Sequence, residues 1–205
     1  SDSNTISKNI INKVQPGPTE KLPYFGRAPA YNLSKDGTVD SIYAIGNSDF
    51  GFMGGNYNGT VSGYVENEIS GGYFYGHWHG GNNKGAIKGK NADGYCIINQ
   101  ISGGTFESTK DGRNYVWGGT IGYNSNYKHG TLIGGVYTEV SGSPVFDMRL
   151  IGGFRGFAAD ETQPVKVKIS GGTFNHDVFM LSSELGTGTP GVIHTGDATI
   201  RSTVN

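Results

Sequence analysis

The sequence predicts an all-β chain wound as a right-handed parallel β-helix (a β-solenoid), and three observations point there. Glycine supplies 36 of the 205 residues, about 18% against an ordinary usage of roughly 7%. The glycines recur in pairs that begin at Gly54, Gly71, Gly103, Gly118, Gly134, Gly152 and Gly171, in steps of 15 to 19 residues with one step of 32. The pairs also share flanks. A large apolar residue stands two positions before each, and an aromatic two positions after it at Tyr57, Phe74, Phe106, Tyr137 and Phe174.

Each unit reads as a short strand followed by a bend. In "VKVKISGGTF", residues 165 to 174, Val165, Val167 and Ile169 recur at period two and share one face. Lys166, Lys168 and Ser170 take the other. The glycine pair then supplies positive φ angles or a bulge, which residues with a Cβ resist. Strands this short cannot bury a face alone, so successive units must stack over a shared interior. Aligning the units by their glycines puts Ile69, Ile101, Leu132 and Ile169 in one interior column. Phe74, Phe106, Tyr137 and Phe174 form another, and Asn67, Asn99 and Val167 a third, where neighbouring amides would stack in a ladder. No stretch of ten or more residues has a helical period, and "SKNIINKV" near the start is the one segment read as a short helix.

Residues 1–22 lack the period and contain "QPGPTEKLP", so they are expected to form a flexible lead-in or an N-terminal cap. The β-helix domain is expected over residues 23–205. Sixteen basic and seventeen acidic side chains leave a net charge of −1, which gives no field to attract nucleic acid. No apolar run approaches the roughly 18 residues of a membrane span, so no membrane insertion is expected. Aromatics at 12% separate the chain from disordered glycine-rich sequence. The single cysteine, Cys96, provides no internal disulfide framework and is expected to be a covered side chain.

The alternation of "ISGGTF" units with "VWGG" and "HWHGG" units, joined by linkers such as "NNKGAIKGKN", resembles the glycine-rich parallel β-helix repeats of bacterial secreted and cell-surface proteins. These belong to the broad pectin-lyase-like architecture. The resemblance covers roughly residues 45–205. It implies secretion or surface display, with further domains of a larger surface protein as partners. It does not imply one activity, because that architecture hosts lyases, hydrolases and adhesins alike.

The densest chemistry lies in "YFYGHWHGG". Alternation puts His77 and His79 opposite Trp78, and the glycine alignment matches them with Tyr115 and Trp117, then with Arg149 and Ile151. Stacked, His77, His79, Tyr115, Trp117 and Arg149 make an outward strip suited to sugar rings, whose CH faces pack on aromatic planes. The bland reading is a loop lying over that face. His77 and His79, with His129, have too few convergent partners for a zinc site, and no metal or other cofactor is expected. Glu66 and Glu68 share a strand face but have no counterparts in later units, and no nucleophile elbow, phosphate loop or dinucleotide fingerprint occurs. The expectation is therefore a non-catalytic module that binds polysaccharide or glycan, or acts as an adhesin or structural segment. A polysaccharide lyase or glycoside hydrolase is the alternative.

Overall fold

The computed structural model describes residues 5–16, 24–26, 50–56, 59–82, 85–108, 114–119, 134–153, 164–179, 190–194 and 199–200. Within them the chain is all-β, with no helix. The strands are β1 (Thr5–Ile6), β2 (Ile10–Val14), β3 (Tyr24–Gly26), β4 (Phe50–Met53), β5 (Thr60–Val61) and β6 (Val65–Tyr75). Next come β7 (His77–His79), β8 (Tyr95–Glu107), β9 (Tyr115–Trp117), β10 (Gly135–Val140), β11 (Val145–Asp147) and β12 (Arg149–Ile151). The last are β13 (Val165–Ile169), β14 (Thr173–Phe174), β15 (Val178–Phe179), β16 (Pro190–His194) and β17 (Thr199–Ile200).

Every pairing between these strands is parallel, and they fall into three stacks beside a small β1–β5 pair. In the first stack, β2, the start of β6, the start of β8, β10, β13 and β16 follow one another. In the second, β3, the end of β6, the end of β8, β11, β14 and β17 do the same. The third runs β4, β7, β9, β12, β15. β6 and β8 each pass through a bend and so belong to both of the first two stacks.

The glycine pairs turn out to be of two kinds. At the bend between the first and second stacks, Gly72, Gly104 and Gly172 have φ of 100°, 99° and 94°, a backbone that side chains resist. Gly54, Gly80 and Gly118, at the ends of third-stack strands, have no positive φ; what they need is room. A Cβ on Gly54 would lie 2.4 Å from Asn67 Oδ1, and one on Gly80 2.4 Å from Asn99 Oδ1. One on Gly118 would lie 2.6 Å from Thr138 Oγ1. The short period of the sequence is thus two alternating signals, one for turning and one for close approach.

Those oxygens belong to a buried polar column. Asn12 Nδ2 donates to Asn67 Oδ1, Asn67 Nδ2 to Asn99 Oδ1, and Asn99 Nδ2 to Thr138 Oγ1, at 2.8, 2.8 and 3.0 Å. The same three amides donate to the carbonyls of Gly54, Gly80 and Gly118, each at 2.8 Å. The ladder therefore pins the first stack to the third and satisfies polar groups whose burial would otherwise be costly. Beside it runs an aromatic column in which Phe25, Phe74, Phe106, Phe146 and Phe174 stack face to face, with neighbouring centroids 4.6–4.9 Å apart. That spacing is the distance between paired strands. Ile69, Val140, Trp78 and Leu150 close the same core, so all three stacks contribute to it.

Three expectations are corrected. "SKNIINKV" contributes strand β2, not a helix, because Ile10, Asn12 and Val14 continue the columns of Val65, Asn67 and Ile69. Tyr137 does not join the phenylalanine column. It pairs with Ile98 and Lys166 at an outward, half-buried position, and Phe146 takes the inner place opposite Phe106 and Phe174. The glycine alignment missed because the fourth bend, "VSGSPVF", carries no glycine pair and turns instead at Gly142 (φ 62°), while Val136, Thr138 and Val140 alternate inward along β10 and leave Tyr137 outward. The pair at Gly134 instead leads into β10, where Gly134 packs against Cys96. Leu132, its expected partner in the isoleucine column, lies outside the described residues.

Candidate functional site

The third stack carries the predicted strip on strands β7, β9 and β12. Register places Arg149 beside Tyr115, and Ile151 beside Trp117. It places Trp117 beside His79. The rings of His77 and Tyr115 stack at 6.1 Å, and the Arg149 guanidinium lies 5.9 Å from the Tyr115 centroid. Tyr115 N–H donates to His77 Nδ1 at 3.2 Å, so the neutral imidazole carries its proton on Nε2.

The five residues are neighbours but not equals. Arg149 is exposed, and His77 and Tyr115 are half-buried. His79 and Trp117 are fully buried, at 0% exposure. The expectation of an exposed tryptophan is therefore corrected: Trp117 packs with Ile151, Tyr115 and Phe179 in a small apolar cluster. The Tyr115 ring lies 5.4 Å from the Trp117 ring. Of the five, His77, Tyr115 and Arg149 keep exposed surface among the described residues.

Next to these residues the structure places two carboxylates that were not among the predicted site residues, Glu107 and Asp147. The position after the inward phenylalanine is Tyr75, Glu107 and Asp147 on adjacent strands, in register. Glu107 accepts from the Tyr73 hydroxyl. Asp147 lies 3.7 Å from His176 Nε2 and accepts from Asn175 Nδ2 at 3.4 Å. Asp177 faces Arg149 at 3.5 Å. Burial first, and the Asp147 carboxylate second, push the Glu107 carboxyl above its ordinary range. The signal was present in the sequence: "TFE", "VFD" and "TFN" each follow a bend with an aromatic and a polar residue. Only the register shows that two of those polar residues touch adjacent strands.

Other candidates separate from this surface. Glu68 is engaged by Lys13 at 2.7 Å on the outer face of the first stack. Cys96 is buried, donates to the Gly134 carbonyl at 3.1 Å, and burial pushes its thiol up to about 12, so no thiolate nucleophile forms near neutral pH. His77 and His79 have ring centroids 5.6 Å apart, and His129 lies outside the described residues. Among the described residues, no three His, Cys, Asp or Glu side chains converge as metal ligands would. Comparisons with protein-family models, curated proteins and solved structures found no match to the chain.

Proposed function

We propose that the three stacks are the faces of one right-handed parallel β-helix, and that the chain is a secreted or surface-displayed module that binds glycan. The observation that carries this reading is the His77–Tyr115–Arg149 row: a stacked imidazole and phenol with a guanidinium at the ring, on three consecutive strands. His77 stacks on one side of the Tyr115 ring and Arg149 lies over the other, so the row offers ring edges, the phenol hydroxyl and the guanidinium, groups that can hydrogen-bond the hydroxyls at a sugar's rim. Rigid strands hold the row, so little ordering is needed on binding. Retention on an array of plant, host and microbial polysaccharides tests it. Tyr115→Ala and Arg149→Ala should each lose at least one of the retained glycans while keeping the native circular dichroism spectrum. Full retention by both variants would move the site elsewhere, and no retention by the native chain would leave a structural segment.

One observation favours hydrolysis as a second reading. Glu107 and Asp147 are register partners on adjacent strands, hence roughly 4.8 Å apart at the backbone. Retaining glycosidases hold their two carboxyl groups about 5–5.5 Å apart. Glu107, whose carboxyl pKa burial raises, would protonate the leaving glycosidic oxygen while the Asp147 carboxylate attacks the anomeric carbon. Water would then hydrolyse the glycosyl ester. New reducing ends released by the native chain and absent with Glu107→Gln would establish the enzyme. Retention without release would refute it.

A further inference from the structure

The outer face of the first stack carries a groove of about 370 Å³, away from the His77–Tyr115–Arg149 row. Its floor is one outward column, Lys13, Glu68, Gln100 and Glu139, which are register partners on β2, β6, β8 and β10. Its wall is the bend, with Ser70, Ser102 and Ser141. The groove crosses the strands, so anything lying in it runs along the stack and meets the same kind of group at every strand, roughly each 4.8 Å.

The chemistry is that of an acceptor-rich trough. Lys13 holds Glu68 at 2.7 Å, and Lys168, just beyond the groove, holds Glu139 at 2.7 Å. Tyr137 O–H donates to Glu139 at 2.9 Å. Both carboxylates are thus oriented before any ligand arrives. The hydroxyls of Ser70 and Ser102 point their hydrogens at the carbonyls of Val14 and Ile69, which leaves oxygen lone pairs for the groove. Gln100, exposed between the two carboxylates, adds one acceptor and two donors. A ligand here must donate many hydrogen bonds. A polyanion is disfavoured, because one lysine and two glutamates line the groove and Lys168 only brings the sum to neutral. A bare cation would need convergent acidic ligands, and none converge among the described residues.

We infer that this groove is a binding subsite for a neutral, extended polysaccharide chain running along the stack, across the strands. The inference does not rest on the third-stack row, and the two separate by mutation. Isothermal titration of the whole chain with cellohexaose, laminarihexaose and hexagalacturonate is the test. At least one neutral hexaose should bind, and hexagalacturonate should bind at least roughly ten-fold more weakly. Gln100→Ala should weaken the neutral ligand about ten-fold, the factor for losing a hydrogen-bonding group. Glu68→Gln combined with Glu139→Gln should reverse the preference towards hexagalacturonate. Preference of the native chain for hexagalacturonate, binding of neither neutral hexaose, or native affinity in Gln100→Ala would each overturn the inference. Loss of neutral binding in Tyr115→Ala with none in Gln100→Ala would assign it to the third stack instead.

Discussion

Asn67 donates from one nitrogen to two acceptors, Asn99 Oδ1 and the Gly80 carbonyl, both at 2.8 Å. One amide thereby joins successive strands of the first stack and ties that stack to the third. A leucine of similar volume would keep the packing and lose both ties.

The first prediction follows from that geometry. Asn99→Leu removes an acceptor from Asn67 and leaves the Gly118 carbonyl and Thr138 hydroxyl without their donor. Buried groups orphaned in this way cost about 1–3 kcal/mol each, so a loss of roughly 3 kcal/mol is expected in urea unfolding. Gln100→Ala, one residue along and exposed, should stay within about 0.5 kcal/mol of the native chain. Equal effects would mean that the amide column is not the tie described.

The two kinds of glycine should respond differently to alanine. At Gly118 the new Cβ would lie 2.3 Å from the Gly152 carbonyl oxygen, which is backbone and cannot swing away. A cost of about 2–3 kcal/mol or more is expected. At Gly94, with φ of 88° and nothing within 4 Å of the added Cβ, only the left-handed strain of about 1–2 kcal/mol should appear. Gly94→Asn should recover part of it, because asparagine tolerates that region. Thermal melting of the three variants decides the order.

The phenylalanine column predicts a truncation series. Phe106 is fully buried between Phe74 and Phe146, with centroids at 4.7 and 4.6 Å. Phe106→Ala and Phe146→Ala should each cost about 3–5 kcal/mol. Tyr137→Ala, at its half-buried outward position, should cost clearly less. A Tyr137 effect equal to that of Phe146 would restore the glycine-based alignment that the register replaced.

Two glutamates should tilt stability in opposite directions with pH. The Lys168 hydrogen bond, more than any other cause, holds the Glu139 carboxyl below its ordinary range. Its stabilisation is present above the unfolded carboxyl's pKa and is lost as pH falls through the lower folded value. Glu107 is raised instead, by burial and then by Asp147. Its contribution is full below the unfolded pKa, where both states are protonated, and declines as pH rises through the folded value. Unfolding midpoints across the acid range should therefore show Glu139→Gln destabilised only at higher pH and converging on the native chain in acid. Glu107→Gln should gain on the native chain as pH rises. Parallel curves for both variants would contradict the assignment.

The sequence by itself determined the strand class, the bends and most of the core. Period two in "VKVKI" is a property of five adjacent residues, and the positive φ of Gly72, Gly104 and Gly172 is a property of the backbone at one residue. Ile69, Ile101, Phe74, Phe106, Asn67 and Asn99 were legible for the same reason, since an alternating strand fixes which side chains point inward. Tertiary structure decided everything that depends on the path between strands. The bend in "VSGSPVF" has no glycine pair, so alignment by glycines put Tyr137 in the place that strand pairing gives to Phe146, beside Phe106. Glu107 and Asp147 meet only because β8 and β11 pair in that register. Trp117 and His79 occupy outward positions by alternation, yet both are buried. Alternation is local and sets a direction; burial depends on what distant chain packs there, and only the folded whole contains that.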